Sequence, residues 1–271
     1  MPATVSDLLA GASFEVIPMK STLDKAASLP PGTAVSITAS PGKGMDVTVE
    51  LAIHLKERGY QAIPHLSARM IKDRAELTGI IKRLSEGGID HVFVVGGDAE
   101  DPGDYDDAPA LIRDMAEVGH PFSSLGITGY PEGHPLISNQ KLQQALHDKQ
   151  PYATYIATQM CFNARTIALW ASRIRKEGVT LPIKVGIPGV IDPTKLLTIA
   201  ARIGVGTSAR FLAKNRRAVF RLLRPGVYRP TRLVRDLGRY GDGIELSGLH
   251  IFTFNQVAPT WEWYQRMRAA H

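Results

Sequence analysis

The chain has 271 residues, 44% hydrophobic and 21% charged, with a formal net charge of +6. That length suits one α/β barrel of about 250 residues better than a single sandwich or bundle, and the apolar share allows a core without staples. The lone cysteine, Cys161, excludes an internal disulfide, argues against a cysteine-based zinc site and points to a reducing, cytoplasmic setting.

No run approaches the roughly 18 apolar residues of a membrane span, so no membrane partner is expected. Met1 to Ala12 carries Asp7 and lacks both a basic start and a long apolar stretch, unlike a signal peptide. Short apolar runs rich in β-branched residues then alternate with amphipathic segments. Strands are predicted over Phe14–Pro18, Ala34–Ala39, Gln61–Leu66, His91–Gly97, Ser124–Tyr130, Tyr155–Phe162, Lys184–Pro188 and Leu249–Asn255. Several, such as Val92-Phe93-Val94-Val95, are apolar on both faces, as parallel strands covered on both sides are.

Helices are predicted between them over Val47–Arg58, Asp73–Glu86, Ala108–Glu117, Asn139–Lys149, Ala164–Lys176 and Pro193–Arg202. Most end near a glycine, as at Gly59, Gly87, Gly119 and Gly178. A basic helix from Ala209 to about Leu223, a helix over Thr231–Arg239 and a final one over Pro259–Ala269 complete the pattern. Eight strands alternating with helices, without a linker, predict an α/β (β/α)₈ TIM barrel, one domain over 1–271 with an extended helical segment at about 205–240.

Such barrels carry their active sites at the carboxyl ends of the strands, so the polar residues there are the candidates. They are Glu15; Thr38 and Ser40; His65 and Ser67; Asp98; Tyr130, Glu132 and His134; Thr158 and Gln159; Thr253 and Asn255. Glu15 interrupts an apolar strand. An acid inside a barrel is costly unless paired or protonated, and the protonated state is what a general acid needs; facing outward or pairing with a base is the alternative. Asp98 follows Gly96-Gly97, where the backbone can approach a ligand, and it serves equally as a helix N-cap. Gln159 can donate and accept at once, and His65 and His134 suit a cofactor contact or a structural hydrogen bond. The eight histidines show no two-histidine spacing of a zinc helix, so no metal is assigned.

Taken in order, these motifs resemble the methylenetetrahydrofolate reductase family over nearly the full chain. Phe14-Glu15-Val16-Ile17-Pro18 is similar to its Phe-Glu-Phe-Phe-Pro, and Pro64-His65-Leu66-Ser67 to its Pro-His-Leu-Thr. Val95-Gly96-Gly97-Asp98 stands where the family has Leu-Arg-Gly-Asp. Tyr130-Pro131-Glu132-Gly133-His134-Pro135 resembles Tyr-Pro-Glu-x-His-Pro, the most specific match. Thr158-Gln159-Met160-Cys161-Phe162 resembles Thr-Gln-x-x-Phe, Gly186-Ile187-Pro188-Gly189-Val190 follows a Pro-Gly-Ile region loosely, and Leu249 to Asn255 resembles His-Phe-Tyr-Thr-Leu-Asn.

The resemblance implies reduction of 5,10-methylenetetrahydrofolate to 5-methyltetrahydrofolate, a step of one-carbon metabolism toward methionine. It makes Glu15 the acid that protonates N10, Asp98 the stabiliser of the resulting N5 iminium cation, and Gln159 and Phe162 substrate contacts. It implies cofactor contacts at Thr38, His65, Tyr130, His134 and Lys149. Family members usually carry FAD. Here Ala39-Ser40-Pro41-Gly42-Lys43-Gly44 replaces a Tyr-Gly-Ala-Gly type of loop, Gly96 replaces the motif's Arg, and only Lys149 remains of a basic pair. A flavin shuttle and direct hydride transfer from NADH or NADPH both stay open. So do a one-carbon transferase without net reduction and a nucleic-acid module built on Arg210, Lys214, Arg216, Arg217, Arg221 and Arg224; a solvated helix face explains that last cluster better, and no nucleic-acid partner is expected. Gly204-Val205-Gly206-Thr207-Ser208 could cradle an anion or simply cap that helix.

Overall fold

Eight parallel strands pair in chain order and close, the last against the first. The computed structural model describes residues 4–134, 136–192, 228–240 and 244–271. The strands are β1 (Ser13–Val16), β2 (Ala34–Ile37), β3 (Gln61–Ser67), β4 (His91–Val95), β5 (Ser124–Gly129), β6 (Tyr155–Thr158), β7 (Ile183–Pro188) and β8 (Leu246–Phe252). Among the described residues the α-helices are α1 (Val5–Ala10), α2 (Thr22–Ala26), α3 (Gly44–Glu57), α4 (Arg74–Glu86), α5 (Ala108–Val118), α6 (Asn139–Lys149), α7 (Ala164–Lys176), α8 (Thr231–Tyr240) and α9 (Val257–Ala269). The chain is the (β/α)₈ barrel that its alternation predicts.

The strands start close to the expected places, but some end early. β6 stops at Thr158 rather than Phe162, and β8 spans Leu246–Phe252 rather than Leu249–Asn255. After β8 the backbone turns left-handed at Phe254 (φ 49°) and Asn255 (φ 56°), which no strand ladder accommodates. Helices α1 and α2 fall where none is predicted; at six and five residues they are too short to display a periodic apolar face. The expected helices over Pro193–Arg202 and Ala209–Leu223, and the Gly204–Ser208 segment, lie outside the described residues.

Strand alternation divides each strand between two environments. Outward residues such as Phe14, Ile37, Leu66, Val94, Ile127 and Leu249 are at most 1% exposed and form the main core with the helices. Each such side chain contributes roughly 1.5–3 kcal/mol on burial. Phe14 packs edge-on against Trp261 and Tyr264 of α9, which fixes the neighbouring Glu15 on the opposite, inner face. Asp73, Asp107, Ser138 and Asn163 cap the starts of α4, α5, α6 and α7 by accepting from backbone N–H groups, each worth about 1 kcal/mol. The cap of α5 is thus Asp107, and the N-cap reading of Asp98 is set aside.

The barrel interior is filled in layers. Near its amino end, His91 Nε2 lies 3.2 Å from the Tyr155 hydroxyl, and Lys184 Nζ stands 5.3 Å from the centre of the Tyr155 ring. Burial first, then the nearby Lys184 charge, lowers His91 to about 4. Above them, Ile63, Phe93, Tyr155 and Ala157 form a separate apolar cluster. Gly126 makes room for it, since a Cβ there would lie 2.2 Å from Tyr155 and 2.6 Å from Phe93. On this plug rests the layer that contains Glu15.

Candidate active site

Glu15 faces the barrel interior and pairs with a base. Its Oε2 is 2.9 Å from His250 Nε2 and 3.8 Å from His65 Nε2, and its side chain is 11% exposed. His65 Nε2 is 2.7 Å from Ser36 Oγ, and His250 Nδ1 is 3.3 Å from Ser13 Oγ, which itself donates to the Leu249 carbonyl at 3.5 Å. Phe93 lies beneath both imidazoles, with ring centroids 4.8 Å from His65 and 6.0 Å from His250. Burial is the main reason that His65 is lowered to about 4; the Glu15 charge opposes it and His250 adds to it. His65 is therefore neutral near pH 7.

His250 bridges Ser13 and Glu15: its Nδ1 meets Ser13 Oγ, which donates to the Leu249 carbonyl, and its Nε2 meets Glu15 Oε2 at 2.9 Å. The imidazole thereby fixes the carboxyl group next to the barrel mouth.

The other predicted residues surround that mouth without joining the buried cluster. Asp98 is exposed after β4, and its charge contributes to raising the Tyr130 phenol, whose shift comes first from burial and is opposed by a Thr128 hydrogen bond. Gln159 follows β6 and its Oε1 accepts from the Glu132 backbone N–H at 3.3 Å. Phe162 packs against Tyr228 at 6.0 Å, Thr38 accepts through its carbonyl from Thr48, and His134 meets Tyr130 edge-on at 5.6 Å. Lys149 is only 4% exposed; its ammonium donates to the Thr128 hydroxyl at 3.2 Å, and burial lowers it to about 8.

Two strand-end candidates prove structural. Asn255 Nδ2 donates to the Ile17 carbonyl at 2.9 Å while its Oδ1 accepts from the Ile17 N–H at 2.8 Å. Thr253 Oγ1 donates to the Glu15 carbonyl at 2.6 Å. Both tie the end of β1 to the turn after β8. The residues that sequence reasoning missed are His250, Ser36 and Ser13. His250 stood in a motif already singled out, and its inward parity with Phe252 was the available signal; the two serines carry none. A cleft between α6 and α7, lined by Gly129, Leu146, Trp170 and Arg173, lies outside the barrel wall and away from Glu15.

A closed eight-stranded barrel with an acid–imidazole cluster at the carboxyl ends of its strands defines the class as a (β/α)₈ barrel with an enzyme-type site. Residues 16–267 match the family model described as methylenetetrahydrofolate reductase, and the chain belongs to that family. It is 28% identical over 166 residues to Methylenetetrahydrofolate reductase 2 of Saccharomyces cerevisiae, a match covering 56% of this chain and 26% of that relative, so the chain spans about a quarter of the yeast protein. Among solved structures it resembles an uncharacterized protein from Clostridium thermocellum that binds two copies of 5-methyl-5,6,7,8-tetrahydrofolic acid, with a TM-score of 0.63, 12% identity, and coverage of 96% of this chain and 95% of that one. A lyase/mutase-like protein from Burkholderia cenocepacia J2315 follows with a TM-score of 0.52 and 13% identity, covering 98% and 86% of the two chains. These two likenesses concern the fold. No helix among the described residues is long and apolar enough to cross a membrane.

Proposed function

We propose that the chain reduces 5,10-methylenetetrahydrofolate to 5-methyltetrahydrofolate with NADH or NADPH, and that Glu15 is its general acid. The observation that carries this reading is the 2.9 Å contact between Glu15 and His250 at the barrel mouth of a member of this family. The methyltetrahydrofolate bound by the Clostridium thermocellum protein of similar fold agrees with a folate ligand.

In this scheme the Glu15 carboxyl gives its proton to N10, the C–N10 bond breaks, and the methylene carbon becomes an N5 iminium. Asp98, exposed at the mouth, stabilises the cation, and Gln159 and Phe162 hold the pterin. The reduced nicotinamide supplies the hydride that turns the iminium into a methyl group. The net reaction takes up one proton, and Glu15 must be reprotonated before the next turnover. His250 acts through Glu15 by fixing its orientation.

Residues that would meet a flavin dinucleotide fit it poorly. Lys149 has its ammonium buried on Thr128, so that cation is not presented to a diphosphate, and Lys43 of the loop after β2 is turned to the Pro18 carbonyl. Gly96 offers no side chain where the family motif has Arg, and a Cβ there would meet no atom within 4 Å. These positions favour direct hydride transfer. A cytoplasmic place in one-carbon metabolism goes with the reading.

The test is NADH or NADPH oxidation dependent on methylenetetrahydrofolate, without added flavin, comparing the native chain with Glu15→Gln. The variant should lose about 10²–10⁴-fold in kcat while folate binding changes little. Full activity in Glu15→Gln removes Glu15 from its role. Oxidation that requires flavin, or a flavin absorbance band in the purified protein, removes direct transfer. The transferase alternative predicts no oxidation at all.

A further inference from the structure

Three ligand atoms converge in the layer above the Phe93 plug. Glu15 Oε2, His65 Nε2 and His250 Nε2 all lie within 4.8 Å of one another, at 2.9 and 3.8 Å from the carboxylate oxygen to the two imidazoles. A tetrahedral zinc ion with bonds of about 2.0–2.1 Å spaces its ligand atoms about 3.3 Å apart. The two separations from Glu15 bracket that spacing and the third is within 4.8 Å, so a contraction of the cluster by side-chain rotation encloses an ion.

We infer that this cluster binds one divalent cation of the zinc class, held by the Glu15 carboxylate and the two imidazoles. The donor set decides the class: two imidazole nitrogens with one carboxylate oxygen suit borderline-soft first-row ions, whereas magnesium and calcium prefer oxygen throughout. The ligands come from β1, β3 and β8 of a closed barrel, so they are positioned before any ion arrives. Ser13 Oγ at 3.3 Å from His250 Nδ1 supplies the outer contact that metal-binding histidines use, with Nε2 facing Glu15. His65 exchanges its Ser36 hydrogen bond for the ion, with the hydroxyl left alongside. Glu15, at 11% exposure, is the member that opens toward the mouth, where water or ligand completes the fourth position.

The consequence for turnover rests on the folate reading, whereas the binding itself does not. An ion on Oε2 leaves Glu15 without a proton for N10, so zinc should inhibit reversibly and chelation should restore activity. Sequence spacing could not reveal this ligand set, because its members stand up to 235 residues apart.

The experiment uses tag-free, chelator-treated protein. It is titrated with Co²⁺, followed by visible absorption, and with Zn²⁺, followed by competition with a metallochromic indicator. One equivalent should bind, with the intense visible bands of four-coordinate cobalt, and Zn²⁺ should displace it. Glu15→Gln and His250→Gln, which keep approximate volume, should each weaken Zn²⁺ binding at least tenfold, and circular dichroism verifies their folding. The exposed α3 variant His54→Gln should bind as the native chain does. Stoichiometric binding that survives in both site variants, or no stoichiometric binding at micromolar zinc, overturns the inference. If a site variant fails to fold, protection of native Glu15 and His250 by Zn²⁺ decides instead: loss of pH-dependent His250 imidazole signals in NMR on adding one equivalent supports the site, and unchanged signals overturn it. Zinc binding without any folate-dependent oxidation in zinc-free protein leaves the metal site standing and removes the reductase reading. Oxidation that continues unchanged while one zinc is bound leaves the metal site standing and removes Glu15 as the acid.

Discussion

Glu15 gains its meaning from its neighbours rather than from its own type. Two residues along β1, Phe14 is drawn outward by Trp261 and Tyr264, and Glu15 is thereby turned toward His250. The same single-residue precision holds beneath the site at Gly126, where any side chain would enter the space of Tyr155 and Phe93. Those rings cannot retreat easily, because Phe93 also lies against His65 and His250. Gly126→Ala should therefore destabilise the fold by about 1–3 kcal/mol through overpacking, and should lower kcat by disturbing both imidazoles. Thermal unfolding together with the NADH assay checks this; an unchanged melting temperature would show the interior to be looser than described.

At the scale of elements, barrel closure and site assembly are the same event. β1 meets β8 over only a few residues, with Ser13, Phe14 and Glu15 opposite His250, Ile251 and Phe252. Beyond the strands, Asn255 and Thr253 prolong the seam by bonding the backbone of Ile17 and Glu15. Asn255→Ala strands the buried Ile17 N–H, while the Ile17 carbonyl keeps its bond from the Thr22 hydroxyl. The expected cost is about 1–3 kcal/mol, read from urea unfolding, for the one orphaned group. A cost below about 0.5 kcal/mol would mean that solvent or another group replaces the clamp.

For the whole molecule, the buried polar floor of the barrel makes stability depend on pH. His91 is lowered to about 4 in the folded chain, mainly by burial, against an ordinary value of 6.5. Between those values the unfolded chain binds a proton that the folded chain refuses, so stability is full above about pH 6.5 and falls as the pH drops toward 4. Linkage gives a loss on the order of 2 kcal/mol from this one group between pH 7 and 5. Urea midpoints across that range should decline, and His91→Gln should flatten part of the decline. An equal slope in the variant would assign the effect to other groups.

Much of this was legible before any fold was in view. Alternation of β-branched runs with amphipathic helices set eight βα units, and α6 and α7 fall on their predicted residues because their caps, Ser138 and Asn163, are local signals. Ordered motifs likewise picked out Glu15, His65 and the mouth residues. Inward or outward orientation, however, follows from which face meets a helix, and a contact such as Glu15 to His250 joins the two ends of the chain. The sequence by itself determined the barrel and singled out Glu15. Only the tertiary structure decided that this acid is held by two histidines and a serine pair, since closing the barrel is what brings β1, β2, β3 and β8 to one point.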